Sequence, residues 1–246
     1  MTYDGWEEEE IRRFLDAPRV ALRASVGSTM DLARELADDG APSGTVVLAD
    51  EQTHGRGRGG RSWTSEAERG LWLTLLERPA DAGALDVLSL RVGLAAAGVL
   101  DRHADAPVQL KWPNDLMLPA GKLAGILIET RWREQRPEWV AIGIGINVQA
   151  AAGVARSAAL GVGCRRMHVL GELLPAVRAV ARLRGALSRP ELQEYDRRDW
   201  ARGRRAEAPA IGRVAGVSPQ GALLIDTAGG TVACGSGSLV LAGREP

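Results

Sequence analysis

Two stretches concentrate the residue types that bind and activate anionic, base-bearing molecules. The first runs Glu51-Gln-Thr-His-Gly-Arg-Gly-Arg-Gly-Gly-Arg-Ser-Trp-Thr64, with four glycines and three arginines in the seven positions 55–61. Glycines such as Gly55 and Gly57 let the backbone come close to a ligand, and successive N–H groups in such a turn form an anion-binding nest. The forks of Arg56, Arg58 and Arg61 suit phosphate or carboxylate and are always charged. Trp63 adds a flat face for an aromatic base. A loop this rich in glycine is too soft to be rigid alone and is expected to order around a ligand such as a nucleotide. The stretch by itself also fits a basic surface loop or a disordered RNA-binding segment.

The second stretch joins Lys111-Trp-Pro-Asn-Asp115 to Gly121-Lys-Leu-Ala-Gly-Ile-Leu-Ile-Glu129. Of 31 basic residues only Lys111 and Lys122 are lysine; the other 29 are arginine. A lysine kept against that bias suggests a position that needs a mobile point charge in place of a planar fork. Lys122 would follow a phosphate through a reaction, with Asn114 and Asp115 near the same pocket mouth. Taken singly, Asn-Asp is a common turn pair and Lys122 could be a solvated hairpin residue.

These side chains need a scaffold. Ser28-Thr29-Met30-Asp31 reads as a helix start, opening a helix to about residue 37 whose N-terminus could take a carboxyl or carbonyl group. Residues 45–49 form a buried strand leading into the Gly/Arg loop, and residues 70–76 form the next. A long apolar helix covers 85–103. Residues 108–111 are a strand ended by Pro113. Residues 116–118 and 123–129 flank a hairpin turn, and 139–147 is a strand with Gly143 and Gly145 where something approaches the backbone. Residues 150–166 have no clear period; 167–187 and 190–200 are helical. From 202 a polar, linker-like join precedes four short strand candidates, the pattern of a small β-barrel. The chain is therefore expected to be α+β with a mostly antiparallel sheet, divided at 1–201 and 202–246.

Composition excludes several classes. A formal net charge of zero over 246 residues argues against a protein that coats DNA or RNA. No apolar run reaches the length needed to span a bilayer, and the acidic N-terminus is the opposite of a secretory leader. Cys164 and Cys234 lack metal-ligand spacing and read as buried thiols in a reducing compartment. His54, His103 and His168 are scattered, which disfavours a histidine metal site. A cytoplasmic protein is expected.

In combination the motifs resemble the biotin protein ligases. Ser28-Thr29, the run from Glu51 to Trp63, Lys111 to Asp115, Lys122 to Ile126, and Gly143-Ile-Gly-Ile-Asn147 stand in that family's order, and the likeness reaches the C-terminal strands. The resemblance implies a domain like the class II aminoacyl-tRNA synthetases followed by an SH3-like barrel. It implies that ATP and biotin, with Mg2+, give biotinyl-5′-adenylate and pyrophosphate. The biotinyl group then passes to a lysine of a biotin carboxyl carrier domain. By the same resemblance Ser28, Thr29 and Gln52 bind biotin, with Met30, Gly55 and Gly125 in the same motifs. Arg56, Gly57, Arg58 and Arg61 belong to the loop over the adenylate, Trp63 stacks on adenine, and Asn147 touches it. Lys122 bridges the biotin carboxylate and the α-phosphate, and Asp115 lies near the acceptor lysine. His54 stands where the family has a small residue. Too few residues precede Ser28 for the helix-turn-helix domain of some bacterial members, so a ligase without DNA binding, monomeric or homodimeric, is expected. Lipoate or octanoate ligases share the general fold but not this Gly-Arg-Gly-Arg loop.

Overall fold

Runs such as Val46-Val47-Leu48-Ala49 and Leu71-Trp72-Leu73-Thr74-Leu75-Leu76 carry no solvent face, so they require strands covered on both sides. The computed structural model describes residues 1–79, 81–149 and 156–243 and places these runs at the centre of a seven-stranded sheet. In chain order the elements are β1 (Thr2–Tyr3), β2 (Trp6–Glu7), α1 (Glu8–Phe14), β3 (Val20–Val26), α2 (Thr29–Asp38), β4 (Thr45–Gln52) and β5 (Gly70–Glu77). Then come α3 (Leu85–Leu100), β6 (Gln109–Lys111), β7 (Asp115–Leu118), β8 (Gly121–Arg133), β9 (Arg136–Asn147), α4 (Arg166–Ala181) and α5 (Arg189–Arg198). The last are β10 (Arg205–Ala208), β11 (Gly212–Val217), β12 (Leu223–Thr227), β13 (Gly230–Cys234) and β14 (Val240–Leu241).

The main sheet has the order β3-β4-β5-β9-β8-β7-β6. Only β3 and β4 run parallel; every other pair is antiparallel. Period-2 alternation sends side chains to two cores. Val46, Leu48, Leu71, Leu73 and Leu75 join the large core shared with α1, α3 and α4. Val47 and Leu76 face a smaller one under α2, with Met30, Ala33 and Leu36. The expected mixed α+β architecture is thus observed.

Three expectations need correction. The stretch around Ala82–Leu100 is long and apolar enough to cross a membrane by length and composition alone. Here it is a core helix, with Val92, Ala97 and Leu100 sealed against sheet and α4. The join after residue 202 contains β10, which pairs with both β11 and β14; its single buried side chain, Ala206, left no apolar period to read. The helix expected over 167–187 stops at Ala181, and the residues up to Leu187 form a turn that docks on Pro219 O. Of the stretch 150–166, residues 150–155 lie outside the described residues.

The second sheet is antiparallel throughout, in the order β13-β12-β11-β10-β14. It is tied to the first by Trp112 Nε1, at the end of β6, donating to Gly221 O at 3.0 Å. At the other end of the chain, the buried Arg166 guanidinium gathers Asp4 and Asp50 and lies 4.0 Å over the Tyr3 ring. That cluster pins the β1–β2 pair to the end of β4, just ahead of the Gly/Arg loop.

Asp199 sits at the exit of α5, where Trp200 N donates to Leu110 O. Its Oδ1 accepts from Ala201 N at 2.9 Å, and its Oδ2 is buried with no hydrogen-bond partner among the described residues. Burial pushes this carboxyl up to about 6, only partly offset by the Ala201 N–H. A folded-state value above the ordinary 3.8 means that the native chain holds the proton more tightly than the unfolded one. The resulting stability is present below that ordinary value and is lost as pH rises toward 6. Asp199→Asn, which keeps the acceptor for Ala201, should therefore raise stability at pH 7.5 by about 1–3 kcal/mol. The difference from wild type should vanish below pH 4 in urea unfolding.

Candidate active site

The site is built around missing side chains. Gly125 of β8 and Gly145 of β9 are register partners, and Gly143 lies two positions along on the same face. A Cβ on Gly145 would lie 2.6 Å from Trp63 Nε1, and one on Gly125 would lie 3.1 Å from Trp63 Cζ3. A Cβ on Gly143 would meet Met30 Sδ at 2.7 Å. The glycines thus form a trough that receives the Trp63 ring and the Met30 side chain. Trp72 meets Trp63 edge-on, with centroids 6.4 Å apart, and Lys122 Nζ is 4.9 Å from the Trp63 ring. Both geometries suit the ring quadrupole.

One wall is the N-terminus of α2. Ser28 is its cap, accepting from Met30 N at 3.3 Å. Gln52, at the end of β4, receives both the backbone N–H and the hydroxyl of Thr29, at 2.9 and 3.0 Å. The opposite wall is the β6–β7 turn. Lys122 Nζ and Asp115 Oδ1 form an ion pair at 2.6 Å, and Asn114 Nδ2 donates to Ile126 O at 2.7 Å.

The Gly/Arg loop is the roof, and it is more ordered than its glycine content suggests. Gly57 N donates to Arg61 O at 2.7 Å and Trp63 N to Gly55 O at 2.8 Å, while Gly59 and Gly60 turn the chain at φ of 64° and 74°. Arg56 is clamped by Asp31 Oδ1 at 2.6 Å and Glu129 Oε1 at 2.7 Å, and Arg34 bonds both of those acids too. Arg58 Nη1 reaches Gly237 O at 3.3 Å, and Arg61 Nη2 reaches Ser238 Oγ at 2.7 Å. The second sheet thereby holds the loop's two remaining arginines.

The enclosed cleft measures about 900 Å3 including its open mouth. Its lining brings together Ser28, Thr29, Met30, Gln52, Arg56, Gly57, Arg58, Arg61, Trp63, Asp115, Lys122 and Gly125, all singled out by sequence. Two others are not in the lining. Gly55 packs behind it, where a Cβ would be 2.3 Å from Trp63 O. Asn147 spends its amide Nδ2 on Ser157 Oγ at 2.9 Å and on the carbonyls of Ala158 and Lys122. Both lysines of the chain line the cleft, Lys111 as well as Lys122. Ser238 and Leu239, in the turn before β14, and the buried Thr74 behind Thr29, were not foreseen. Ser238 sits in a Gly-Ser-Gly-Ser run that signals only a turn. Thr74 did carry a signal, as a hydroxyl in an apolar strand.

Charge decides what can enter. Five cations, Arg56, Arg58, Arg61, Lys111 and Lys122, face one carboxylate, Asp115. Such a cleft focuses positive potential on an anionic ligand, and the donors at the α2 wall add a polar end beneath an aromatic ring.

Comparison with known proteins agrees with this chemistry. Residues 22–147 match the Biotin/lipoate A/B protein ligase family. The bifunctional ligase/repressor BirA of Bacillus spizizenii is 41% identical over 124 residues, which cover 50% of this chain but only 38% of that longer relative. The biotin–[acetyl-CoA-carboxylase] ligase of Mycobacterium tuberculosis is 35% identical over 240 residues, covering 88% of this chain and 86% of its own length. The solved biotin protein ligase from Aquifex aeolicus, in complex with biotin and ATP, superposes with a TM-score of 0.74 at 26% identity, over 91% of this chain and 98% of its own. From its sequence, its fold and the cleft they build, the chain belongs to the biotin/lipoate A/B protein ligase family.

Proposed function

We propose that the chain is a biotin protein ligase: it forms biotinyl-5′-adenylate from biotin and ATP and passes the biotinyl group to a lysine of a biotin carboxyl carrier domain. The observation that carries this reading is the convergence of both lysines, three loop arginines and the Trp63 ring on one cleft whose far wall presents hydrogen-bond donors. In this reading Ser28, Thr29, Met30 and Gln52 hold the biotin bicycle, Trp63 stacks on adenine, and Asn147 offers its remaining amide oxygen near it. Residues 1–201 act as a catalytic domain akin to the class II aminoacyl-tRNA synthetases, and 202–246 as an SH3-like barrel that steadies the roof.

The first step brings a carboxylate onto an α-phosphate, two anions. Lys122 and the loop arginines offset that repulsion and the charge that develops as pyrophosphate leaves. The closed roof keeps water from the mixed anhydride. In the second step the acceptor amine attacks the acyl carbon and AMP departs. Asp115, at 2.6 Å from Lys122, loses its partner whenever the phosphate draws that lysine away, and is then free to orient the amine or take its proton. Magnesium would enter with the nucleotide phosphates, and Asp115, the one carboxylate of the lining, is the protein group there that could help hold it. When bound it would neutralise phosphate charge.

Three outcomes test this reading. Biotin and ATP alone should release one equivalent of pyrophosphate per chain, with steady turnover only once a carrier domain is added; rapid multiple turnovers without an acceptor would contradict it. Lys122→Arg should slow single-turnover pyrophosphate release by about tenfold or more, because one misdirected electrostatic contact costs a few kcal/mol in a transition state. Near-normal release would leave Lys122 a purely structural role. Arg58→Gly removes the tether to Gly237 and should let biotinyl-adenylate escape, so that a lysine-rich bystander protein becomes biotinylated. The variant's own label should stay low and concentrate at Met1, since both of its lysines are half-buried in the cleft. Peptide mapping reads both labels, and an unlabelled bystander would remove Arg58 from the clamp.

A further inference from the structure

Thr74 interrupts an otherwise apolar strand at a position that is fully buried. Its register partners are Val47 and Gly143, and its side chain lies on the α2 face of the sheet. A valine there would fill the same volume with better burial and equal strand propensity, so packing does not call for a hydroxyl. That hydroxyl instead meets Thr29 Oγ1 at 2.9 Å. Thr29 donates to Gln52 Oε1 from both its hydroxyl and its backbone N–H, and Gln52 Nε2 reaches Ser65 Oγ at 2.7 Å.

The direction of this chain is fixed by one group. A backbone N–H can only donate, so the Gln52 atom facing Thr29 N is the carbonyl oxygen. The Gln52 amide nitrogen therefore faces Ser65 with one hydrogen and has a second for the cleft. The Thr29 hydroxyl is spent on Gln52 and must accept from a third group, which Thr74 supplies. On the loop side the Gly55 backbone packs so closely that a Cβ there would lie 3.2 Å from Gln52 Nε2.

We propose that Thr74 is a positioning residue for the substrate end of the cleft: it keeps the Thr29 hydroxyl turned to Gln52 and so keeps the Gln52 amide aimed as a donor. This rests on the ligase reading above. Without the Thr74 hydroxyl, the buried Thr29 oxygen loses its donor, and nothing on the sheet side then fixes the direction of its own hydroxyl. Gln52 is then held by one N–H in place of two donors. The Gln52–Ser65 side-chain bond continues to Trp63 O, but the backbone pair between the same two residues holds that path in place whichever way the Thr29 hydroxyl turns.

The test is biotin-dependent ATP–pyrophosphate exchange by the full chain, with KM for each substrate and kcat measured separately. Thr74→Val should raise KM for biotin about tenfold, the effect of one lost buried hydrogen bond, with KM for ATP and kcat within about twofold of wild type. Thr74→Ser should restore the biotin KM. A wild-type biotin KM in Thr74→Val overturns the inference, as does a parallel rise in both KM values that serine does not rescue. A wild-type chain that shows exchange with no biotin dependence overturns the ligase reading itself, a result distinct from either.

Discussion

Five cationic side chains crowd one cleft with a single carboxylate among them, and like charges that close repel unless something holds each in place. The structure answers with restraints of different kinds. Arg56 is parked between Asp31 and Glu129, outside the ring's shadow. Arg58 and Arg61 are tied to the turn before β14. Lys122 leans on Asp115. The restraints differ in strength. The Arg56 clamp is an exposed ion network, worth modest energy per pair and weakened by salt. The Arg58 and Arg61 tethers are single hydrogen bonds to a carbonyl and a hydroxyl, easily exchanged for a phosphate oxygen. A roof held this way is closed enough to have a shape and loose enough to open for substrate and product.

The floor has the opposite character. Gly125, Gly143 and Gly145 lie in the longest hairpin of the main sheet, paired on both sides and locked in register. Their missing side chains leave the room in which Trp63 and Met30 lie, and a Cβ at Gly143 or Gly145 would close it. A rigid trough beneath a tethered loop separates the two demands of the site, since position comes from the sheet and access from the loop.

Much of this was legible in the chain. The Gly/Arg loop and the two lysines stand out because composition makes them improbable, and each of the five cations lines the cleft. The strands flanking the loop were readable from apolar runs, and the α2 start from Ser28. What could not be read were partnerships across long sequence separations. Nothing near Arg61 points to Ser238, and nothing near Arg166 points to Asp4 or Asp50. Arg56 reads in the sequence as a ligand contact, and nothing local shows the two acids that also hold it, 25 and 73 residues away. β10 was missed for a different reason: a strand with one small buried side chain has no hydrophobic signature.

In the ligase reading, the roof, the trough and the cations together hold one reactive anhydride. Native mass spectrometry after mixing the chain with biotin, ATP and Mg2+ and removing excess small molecules tests it most directly. The account predicts a single added mass per chain equal to biotinyl-5′-adenylate, absent when either substrate is withheld. Retention of biotin and ATP as separate, unreacted ligands, or an adduct formed with lipoate and not with biotin, would contradict it.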